Sequence, residues 1–490
     1  MVYDSSMKKR YDIVIIGAGI VGVAIAYELS KYECSVLLLE KESSVGSVQT
    51  SANSAIIHSG HDPIPGTLKA KLCKRGNELF QKLSRDLDFP LWRLSGLMVS
   101  TSKKEEAILT DVLNRAKQNK VSCAVADDFF LDYLGNNLSK KARTCLYIPS
   151  TFVCFPWKVV ESFLLKALQY NLTLRLNTEV IGIQHSDDVF SVKTSKGENV
   201  ESRILINASG VNSEKITKIL LTDCAYESVF RKGEYFVLDR EVCNLVNNVI
   251  YPVPTSKGKG VIIIPQIDGQ VLIGPNSSIV SDPNDVSTSK EGLEEVREKA
   301  KLLVEDIPFS RTIRCYAGIR SSLTQYDFFI DNSEKYPNFF MLGGIDSPGL
   351  TSAPAIAEYL VEKIRRIFPL RANARFDPIL RKKTPFSQLS FGEKEARIAN
   401  DPLEGQIVCR CENITAREII EAYESPVGGR TIKALKQRTR AGAGLCQGGY
   451  CEEKILKLLA DYYKRPMSDF TYSNESNNIL LSKEEENDAK

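Results

Sequence analysis

Four cysteines near the carboxyl end of the chain have the type and spacing of a metal-binding set. Cys409 and Cys411 form a C-x-C pair, and Cys446 and Cys451 form a C-x-x-x-x-C pair after 34 intervening residues. The thiolate is the form of cysteine that ligates metals, so four of them together predict a metal centre. Iron-sulfur, structural zinc and free thiols remain open. The C-x-C half-site favours iron-sulfur, because zinc pairs are usually C-x-x-C.

A glycine motif near the amino terminus indicates a nucleotide site. Gly17-x-Gly19-x-x-Gly22 follows the apolar run 12–16 and precedes a helical pattern. The first glycine permits a turn, the second lets the backbone approach a pyrophosphate, and the third allows close packing of helix on strand. Glu40 ends a second apolar run, 18 positions after Gly22, where a carboxylate can accept hydrogen bonds from an adenosine ribose. The alternative is a tight turn without a ligand.

A second segment of small residues, 343–354, favours FAD over NAD. It runs Gly-Gly-Ile-Asp-Ser-Pro-Gly-Leu-Thr-Ser-Ala-Pro and leads into a helical pattern over residues 355–364. Pro354 suits the first turn of that helix. The positive end of a helix aimed at a flavin ring would stabilise the negative charge of the reduced flavin. A glycine-rich loop with no ligand is the alternative.

Residues 51–60, Ser-Ala-Asn-Ser-Ala-Ile-Ile-His-Ser-Gly, resemble the flavin-contacting segment of the D-amino-acid-oxidase-like superfamily. Within it, the chain is most similar to glycerol 3-phosphate dehydrogenases and oxidases, with L-2-hydroxyglutarate-oxidising enzymes as near relatives. The likeness continues through residues 62–72, 233–235, 257–260, 316–320 and 347–354 and so covers nearly the whole chain. Motifs and resemblance together imply FAD held by Gly17, Gly19, Gly22, Glu40, Lys41, Ser51, Asn53, Ser54, Gly210, Gly344, Gly349, Leu350 and Thr351.

The resemblance also implies a catalytic base. His58 would lie beside the flavin and take the proton of the substrate hydroxyl while hydride goes to the ring. Imidazole suits this role, because its unperturbed pKa lies nearest neutrality. The alternative is that His58 only packs at the flavin. Of the other two histidines, His61 sits where the family keeps none, and His185 lies in an insertion.

An anion clamp follows from the same likeness. Arg320 would hold an anionic group of the substrate, since a guanidinium forms bidentate hydrogen bonds with phosphate or carboxylate. Lys259 would add a second positive charge, and Ser54 and Ser347 would lie near the substrate or the flavin. Without the resemblance, each of these cations would be interpreted as a solvated surface residue.

The cysteine set resembles the bacterioferritin-associated ferredoxin type of domain, which binds a two-iron two-sulfur cluster. Its spacing is that of the version fused to anaerobic glycerol 3-phosphate dehydrogenases. A capping box at residues 415–418 predicts one helix start, and Cys451 precedes another. These helix N-termini would point at the cluster and offset its negative charge, helped by Arg438 and Arg440. Such a cluster would pass electrons singly from the flavin to a partner protein or a quinone.

The elements that must position these residues predict α/β and α+β folding units. Residues 11–42 form a βαβ pattern, and the apolar runs 204–207 and 339–342 each end at small residues, as buried strands of a doubly wound sheet do. We expect a Rossmann-like, D-amino-acid-oxidase-like FAD-binding domain, an antiparallel-sheet substrate domain and a small helical iron-sulfur domain. The predicted bounds are 1–80, 200–220 and 320–368 for FAD binding, 81–199 and 221–319 for substrate, 369–405 for a linker, 406–468 for the cluster and 469–490 for a mobile tail.

Composition limits the possible partners. The net charge of +3 over 490 residues creates no strong overall field, so it argues neither for nucleic acid nor for a membrane surface as a partner, and we expect no nucleic acid. No run approaches the roughly 20 apolar residues of a spanning helix, and the polar amino terminus lacks the apolar core of a secretory signal. The eight cysteines outside the cluster are scattered, which suits a reducing compartment. We expect a cytoplasmic protein, with peripheral membrane contact left open.

The expected activity is FAD-dependent oxidation of sn-glycerol 3-phosphate to dihydroxyacetone phosphate. One alternative keeps the chemistry and changes the substrate to another small hydroxy acid, such as L-2-hydroxyglutarate, or to an amine, because a phosphate clamp can also hold a carboxylate. The other is an electron-transfer or sensing subunit whose flavin does not turn over. His58, Arg320 and Lys259 argue against that second alternative.

Overall fold

The amino-terminal residues form the βαβ unit that their pattern predicts. A computed structural model describes residues 9–255, 258, 260–474 and 477–480. Strand β1 (Lys9–Ile16), helix α1 (Ile20–Leu29) and strand β2 (Val36–Leu39) follow one another, and β1 pairs in parallel with β2. Gly17 has a φ of +99°, and a Cβ at Gly22 would lie 2.0 Å from the Gly17 carbonyl oxygen. Glycine is therefore needed both for the turn and for the approach of α1 to β1.

The other elements alternate along the chain between two large sheets and the helices that cover them. The remaining strands are β3 (Ile56–Ile57), β4 (Leu91–Arg93), β5 (Gly96–Val99), β6 (Ala124–Ala126), β7 (Cys145–Ile148), β8 (Phe152–Cys154), β9 (Leu172–Arg175), β10 (Val180–Ser186), β11 (Val189–Thr194), β12 (Asn199–Asn207), β13 (Ser228–Leu238), β14 (Val249–Pro252), β15 (Ile262–Pro265), β16 (Val271–Gly274), β17 (Ser278–Ile279), β18 (Thr312–Leu323), β19 (Phe329–Asn332), β20 (Phe339–Gly343), β21 (Ile407–Cys409) and β22 (Ile414–Thr415). The remaining helices are α2 (Leu68–Asp86), α3 (Lys103–Gln118), α4 (Asp128–Leu134), α5 (Pro156–Ala167), α6 (Ser213–Leu220), α7 (Lys290–Lys301), α8 (Gly349–Arg365), α9 (Phe391–Asn400), α10 (Ala416–Glu424), α11 (Ile432–Thr439) and α12 (Glu452–Tyr463).

The nucleotide-binding sheet has eight strands. Its main path runs β10-β11-β12-β1-β2-β9, and β20 extends it from β12 with β19 beside β20. Strands β12, β1, β2 and β9 pair in parallel, as does β20 with β12. Helices α1, α5 and α8 bury one face of the sheet in a shared apolar core. This confirms the predicted doubly wound α/β unit built from distant pieces of chain.

One predicted boundary is wrong. Strands β9, β10 and β11 belong to the nucleotide-binding sheet, whereas the predicted bounds place residues 172–194 in the substrate domain. Val180, Ile183, Phe190 and Val192 from these strands pack into the core beneath β1 and β12. The strand alternation indicated a half-buried sheet, but alternation alone does not tell which sheet a strand joins.

The second large sheet has nine strands in the order β17-β13-β16-β15-β14-β5-β7-β6, with β18 beside β13. Most neighbours are antiparallel, as expected for a substrate domain, and β14 pairs in parallel with β5. Helix α7 packs on one face through Val296 and Ala300. The long pairing of β13 with β18 matters most for the site, because both strands reach the cavity described below.

The carboxyl-terminal unit is a small core of three helices and a two-stranded hairpin. Helices α10, α11 and α12 and strands β21 and β22 enclose Ile419, Leu435, Ile455 and Phe470. Two predictions need correction here. The predicted linker contains helix α9, started by a capping box of Ser390 and Glu393. The predicted tail from residue 469 begins too early, because Phe470 is a fully buried core residue; residues 481–490 lie outside the described part of the chain.

Across the described residues, every helix is too short or too polar to pass through a lipid bilayer.

Candidate functional site

A cavity of 640 Å³ lies between the two large sheets, a volume within the range of cofactor sites. It brings together twelve of the predicted site residues: Gly17, Gly19, Glu40, Lys41, Asn53, Ser54, His58, Gly210, Arg320, Ser347, Gly349 and Leu350. Four others, Gly22, Ser51, Gly344 and Thr351, lie close by without lining it. Lys259 lies outside the described residues.

The dinucleotide end of the cavity is shaped by the glycine turn and by Glu40. A Cβ at Gly19 would meet only Thr50 Oγ1, at 3.4 Å, so the groove beside this residue is open to a ligand. The Glu40 carboxylate accepts from the amides of Ala18 at 2.7 Å and Glu42 at 2.9 Å, and burial raises its pKa. Each carboxylate oxygen can accept a second hydrogen bond, so Glu40 can still receive a ribose hydroxyl. These features fit an adenosine diphosphate moiety.

The amino-terminal end of α8 forms the wall of the cavity at Gly349 and Leu350. The helix begins at Gly349, because the Ser352 amide already donates to the Pro348 carbonyl at 3.0 Å. Pro354 therefore lies inside the helix and not in its first turn, which corrects the prediction. Unpaired amides at this end can face an anionic group, as the sequence suggested.

Three predicted residues that do not line the cavity shape its walls instead. Thr351 Oγ1 accepts from the His58 amide at 2.8 Å and so ties α8 to the His58 segment. Ser51 Oγ donates to carbonyls of its own loop, at Ser47 and Val48. Gly344 has a φ of +64° and packs against Leu323, where a Cβ would lie 2.3 Å away.

His58 is buried and held from both sides of its ring. Its Nδ1 accepts a hydrogen bond from the Gly60 amide at 2.9 Å, and its Nε2 lies 3.3 Å from Asp62 Oδ1. When Nδ1 is an acceptor, the neutral ring carries its proton on Nε2, so that proton points at the Asp62 carboxylate. Asp62 is thus a site residue that the sequence analysis did not single out, although it lies in the segment that carries the resemblance.

The other two histidines differ in their distance from the site. The His61 ring stacks on His58 with centroids 4.4 Å apart, and its Nδ1 lies 2.6 Å from Ser59 Oγ. One ligand atom from each of His58, His61 and Asp62 lies within 4.8 Å of the other two, so these three side chains could chelate an added metal ion. His185 belongs to β10 and packs against Phe190 and Tyr336, outside the cavity.

The anion end of the cavity contains two arginines. Arg320 on β18 is the direct cross-strand partner of Arg231 on β13, and both line the cavity. Arg320 donates to the Asn276 carbonyl at 2.8 Å, while its buried Nε has no hydrogen-bond partner among the described residues. Arg231 likewise makes no ion pair or side-chain hydrogen bond within the described ranges. Like charges opposite each other on paired strands repel, so an anion between them would stabilise the site.

Two stacked tyrosines hold the loop that carries Asn53 and Ser54. The rings of Tyr235 and Tyr316 lie 4.6 Å apart and nearly parallel. Tyr235 OH lies 3.2 Å from Ser54 Oγ, and Tyr316 OH donates to the Asn53 carbonyl at 2.9 Å. Burial raises the pKa of both phenols, so they remain neutral hydrogen-bonding groups. They fix the position of Ser54 at the cavity wall.

The four predicted cysteine ligands come together in the carboxyl-terminal unit. Cys409 and Cys451 are buried, while Cys411 and Cys446 are exposed. A hydrogen bond from the Cys451 thiol and nearby backbone amides lowers the pKa of Cys409 to about 5, and the same contact raises the pKa of Cys451. A Cβ at Gly444 would lie 2.5 Å from Cys411 Cβ, so the loop needs a glycine to bring its cysteines this close.

The spacing of the sulfurs distinguishes between the candidate metals. Four thiolates bound 2.3 Å from a single zinc ion lie about 3.8 Å from one another. The sulfurs make contact in two pairs, Cys409 with Cys451 and Cys411 with Cys446. Two pairs of thiolates suit a two-iron cluster, in which each iron is held by two of them.

Arg438 and Arg440 do not serve the cluster as predicted. The Arg438 guanidinium donates to the carbonyls of Val427 and Gly428 and to Ser44 Oγ. Arg440 pairs with Asp268 of the substrate domain. Both side chains instead join the carboxyl-terminal unit to the rest of the protein. The helix starts were predicted correctly: Thr415 and Glu418 form a capping box, and α12 begins directly after Cys451.

Comparison with known proteins agrees with both sites. Residues 12–363 match the family described as FAD dependent oxidoreductase, or DAO, and residues 407–461 match the BFD-like [2Fe-2S] binding domain. The glycerol 3-phosphate dehydrogenase of Caloramator mitchellensis is 35% identical over 96% of this chain and 98% of its own length. The glycerol 3-phosphate oxidase of Mycoplasma genitalium is 32% identical over 72% of this chain and 94% of its own length.

A solved structure extends the likeness to the fold. The L-alpha-glycerophosphate oxidase of Mycoplasma pneumoniae, dithionite-reduced and with FAD bound, superposes with a TM-score of 0.73 at 27% identity. The match covers 77% of this chain and all of that one. This chain belongs to the DAO family of FAD-dependent oxidoreductases, and a BFD-like [2Fe-2S] binding domain follows its FAD-binding part.

Proposed function

We propose that this protein oxidises sn-glycerol 3-phosphate to dihydroxyacetone phosphate and passes the electrons through its [2Fe-2S] cluster to a protein or quinone acceptor. The observation that carries the proposal is the placement of a buried imidazole and a pair of cross-strand arginines on one cavity. The names of the relatives from Caloramator and Mycoplasma support the same substrate.

His58 and Asp62 together suit proton removal from a hydroxyl group. FAD, when bound, supplies the hydride acceptor. The Gly60 amide holds His58 Nδ1, and Nε2 faces Asp62 Oδ1 at 3.3 Å. A neutral imidazole and an ionised carboxylate carry one negative charge between them, so the pair can take a proton and become neutral inside a buried site. Because both ring nitrogens of His58 are engaged in this arrangement, the hydroxyl proton of the substrate would be accepted on the Asp62 carboxylate, which His58 holds in place through Nε2–H.

Arg320 and Arg231 favour a phosphate ester over a carboxylate. Two adjacent guanidinium groups carry two positive charges, and a phosphate monoester carries roughly −1.5 to −2 at neutral pH. The two carboxylates of L-2-hydroxyglutarate lie at opposite ends of the molecule, so only one of them, with a single charge, can sit between the two guanidinium groups, and sarcosine likewise offers one carboxylate. The unpartnered Nε of Arg320 also provides a donor for one more oxygen. Ser54 and Ser347 line the same cavity and would lie beside the substrate, and Lys259 would add a further positive charge there.

Anaerobic flavin reduction with a small substrate panel tests this proposal. We expect glycerol 3-phosphate to bleach the flavin absorbance, and glycerol, L-2-hydroxyglutarate and sarcosine to do so far less effectively. His58→Ala should abolish reduction and retain FAD. Reduction that is fastest with L-2-hydroxyglutarate or sarcosine would assign the other substrate class. A flavin that resists the whole panel would favour the electron-transfer or sensing subunit.

Arg231→Gln tests the anion site alone. We expect the half-saturating concentration of glycerol 3-phosphate to rise about 10-fold or more, equivalent to roughly 1.4 kcal/mol of binding free energy. The response to glycerol, which has no phosphate, should not change. Arg311→Gln is the matched control, because Arg311 pairs with Glu241 on the surface, where both side chains are more than half exposed. Equal effects of the two substitutions would remove Arg231 from the site.

A further inference from the structure

We propose that an interdomain clasp, formed by Arg240, Asp268, Gln270, Glu412 and Arg440, fixes the distance over which electrons pass from the substrate site to the cluster. The clasp joins the two cysteine loops to one edge of the substrate domain. The proposal rests on the electron route proposed above, and its test separates the failure of the clasp from the failure of that route.

The first contact lies beside Cys411. The next residue, Glu412, forms an ion pair with Arg240, which belongs to a short 3-10 helix of the substrate domain. The Glu412 carboxylate is only 10% exposed. An unpaired carboxylate at such a position would be costly, so the contact with Arg240 holds the first cysteine loop in place.

The second contact lies just before Cys446. Arg440 forms an ion pair with Asp268, and the Gln270 side-chain amide donates to the Ala443 carbonyl at 2.8 Å. Asp268 and Gln270 both lie in the turn between β15 and β16. The two exposed cysteines of the set are thus each anchored to the substrate domain within a few residues of the ligand.

The side chain of Arg440 is mostly buried and makes contacts beyond its ion pair with Asp268. Its side chain is 18% exposed and that of Asp268 is 11% exposed. Its guanidinium lies 5.3 Å from the ring centroids of both Phe155 and Trp157, which stack on each other. Partly desolvated cation–π contacts are stronger than exposed ones, so the arginine is held from two directions.

The aromatic pair also leads back toward the flavin cavity. Phe155 directly follows β8, and β8 pairs with β3, where Ile57 lies opposite Phe152. Strand β3 is followed by His58. Ala55 and Ile56 in the same segment line the cavity. The clasp is therefore packed on the backbone that forms the wall of the redox site.

The β15–β16 hairpin spans the distance between the two sites. Its turn carries Asp268 and Gln270, and its other end leads to Pro275 and Asn276, which line the cavity. Asn276 accepts the hydrogen bond from Arg320. At about 3.4 Å per residue, the four residues of β16 extend roughly 14 Å. A single hydrogen-bonded hairpin thus sets the separation of substrate clamp and cluster loops.

The clasp is needed because the electrons must change carriers. Substrate oxidation releases two electrons as a hydride, and the cluster accepts one electron at a time, so two transfers to the external acceptor complete one turnover and the proton left from the hydride is released to solvent. The hydroxyl proton stays at the His58–Asp62 pair until it is released. Electron transfer between separated centres slows steeply as their distance increases. A loosened clasp should therefore slow cluster reduction and leave flavin reduction unchanged.

Arg440→Gln and Asp268→Asn test the clasp, each in the full chain with both cofactors bound. Rapid mixing with glycerol 3-phosphate follows flavin reduction by absorbance, and freeze-quenched samples follow cluster reduction by electron paramagnetic resonance. We expect cluster reduction at least 10-fold slower in both variants and flavin reduction within twofold of the unsubstituted protein. Hydrogen exchange of the 440–446 amides should become faster. Arg365→Gln is the control and should change none of these, because Arg365 pairs with Glu362 at the exposed end of α8, outside the clasp.

The outcomes separate the two proposals. Unchanged cluster reduction in both variants overturns the clasp. A flavin that is reduced by substrate in the unsubstituted protein while the cluster stays oxidised overturns the electron route itself. Iron, sulfide and the signal after dithionite reduction measure cluster content. If only Arg440→Gln loses iron, the rate of cluster reduction in Asp268→Asn decides whether the clasp sets the distance, because Asp268 lies outside the cluster domain. Loss from both variants overturns the clasp as a device that sets distance.

Discussion

Alanine at Gly19 and alanine at Gly22 should have different effects, although both glycines belong to the same motif. At Gly22 the new Cβ would lie 2.0 Å from the Gly17 carbonyl oxygen, a backbone atom at the end of β1 that cannot move aside cheaply. At Gly19 the new Cβ would meet only Thr50 Oγ1, at 3.4 Å, and the φ of −72° suits any residue. Gly22 therefore serves the fold, and Gly19 serves the ligand.

The expected magnitudes follow from these contacts. Gly22→Ala should lower the free energy of unfolding by about 1–3 kcal/mol or more, as overpacking does, with or without FAD. Gly19→Ala should cost the fold less than about 1 kcal/mol, the usual difference at a helix N-cap. It should weaken FAD about 10-fold or more, because the methyl group occupies the groove that a pyrophosphate would approach. A 10-fold loss corresponds to roughly 1.4 kcal/mol of binding free energy.

Thermal unfolding and FAD titration separate the two effects. Each variant is unfolded before and after FAD removal, and the dissociation constant is measured by quenching of flavin fluorescence. FAD should raise the unfolding temperature of the unsubstituted protein and of Gly22→Ala by similar amounts, each measured against the same protein without FAD. The increase should be smaller for Gly19→Ala. Gly392→Ala is a control, since a Cβ there meets nothing within 4 Å. Unchanged FAD affinity in Gly19→Ala would refute the assignment of the pyrophosphate to this groove.

Three further substitutions test the remaining parts of the molecule. Asp62→Asn should slow flavin reduction by substrate about 100-fold with FAD retained, because a neutral amide cannot take up the proton that a carboxylate accepts. A rate of flavin reduction within twofold of that of the unsubstituted protein, measured by rapid mixing, would contradict this. Cys446→Ser should remove the cluster and leave flavin reduction unchanged, and full iron content on analysis would argue against Cys446 as a ligand. Phe470→Ala should destabilise the carboxyl-terminal core by about 3–5 kcal/mol and release iron at lower denaturant concentration, whereas unchanged iron retention would show that the core does not depend on this ring.

Local features could be predicted from the sequence because their causes are local. The turn at Gly17 needs a positive φ, and α12 begins directly after Cys451 as its helical pattern indicates. The capping box at Thr415 and Glu418 needs only four consecutive residues to form. The same kind of pattern at Ser390 and Glu393 could have revealed α9 inside the predicted linker. The surrounding prolines and the scarcity of periodic apolar positions favour an irregular linker, and this regional pattern conceals the local signal of the cap.

Domain bounds were harder to predict, because they depend on which surfaces meet. Strands β10 and β11 alternate between apolar and polar residues, a pattern typical of any half-buried strand. Their apolar face packs beside β12 in the nucleotide-binding sheet. The periodicity is the same whichever sheet lies against that face, so only the tertiary arrangement assigns these strands.

The residues that the sequence analysis missed or misassigned depend on register and on backbone direction. Arg231 becomes a site residue only because β13 and β18 pair with Arg231 opposite Arg320, and a shift of one residue would turn it to the other face of the sheet.

Arg440 lies close to Cys446 in sequence, which suggested a role at the cluster. Its φ of +71° places it in the left-handed region at the end of α11, and its side chain reaches Asp268 instead. A left-handed cap on an arginine is strained, so the ion pair and the two aromatic rings must hold it. Glycine at this position would relieve the backbone and release the clasp, a change that should stabilise α11 locally while it uncouples the cluster from the flavin.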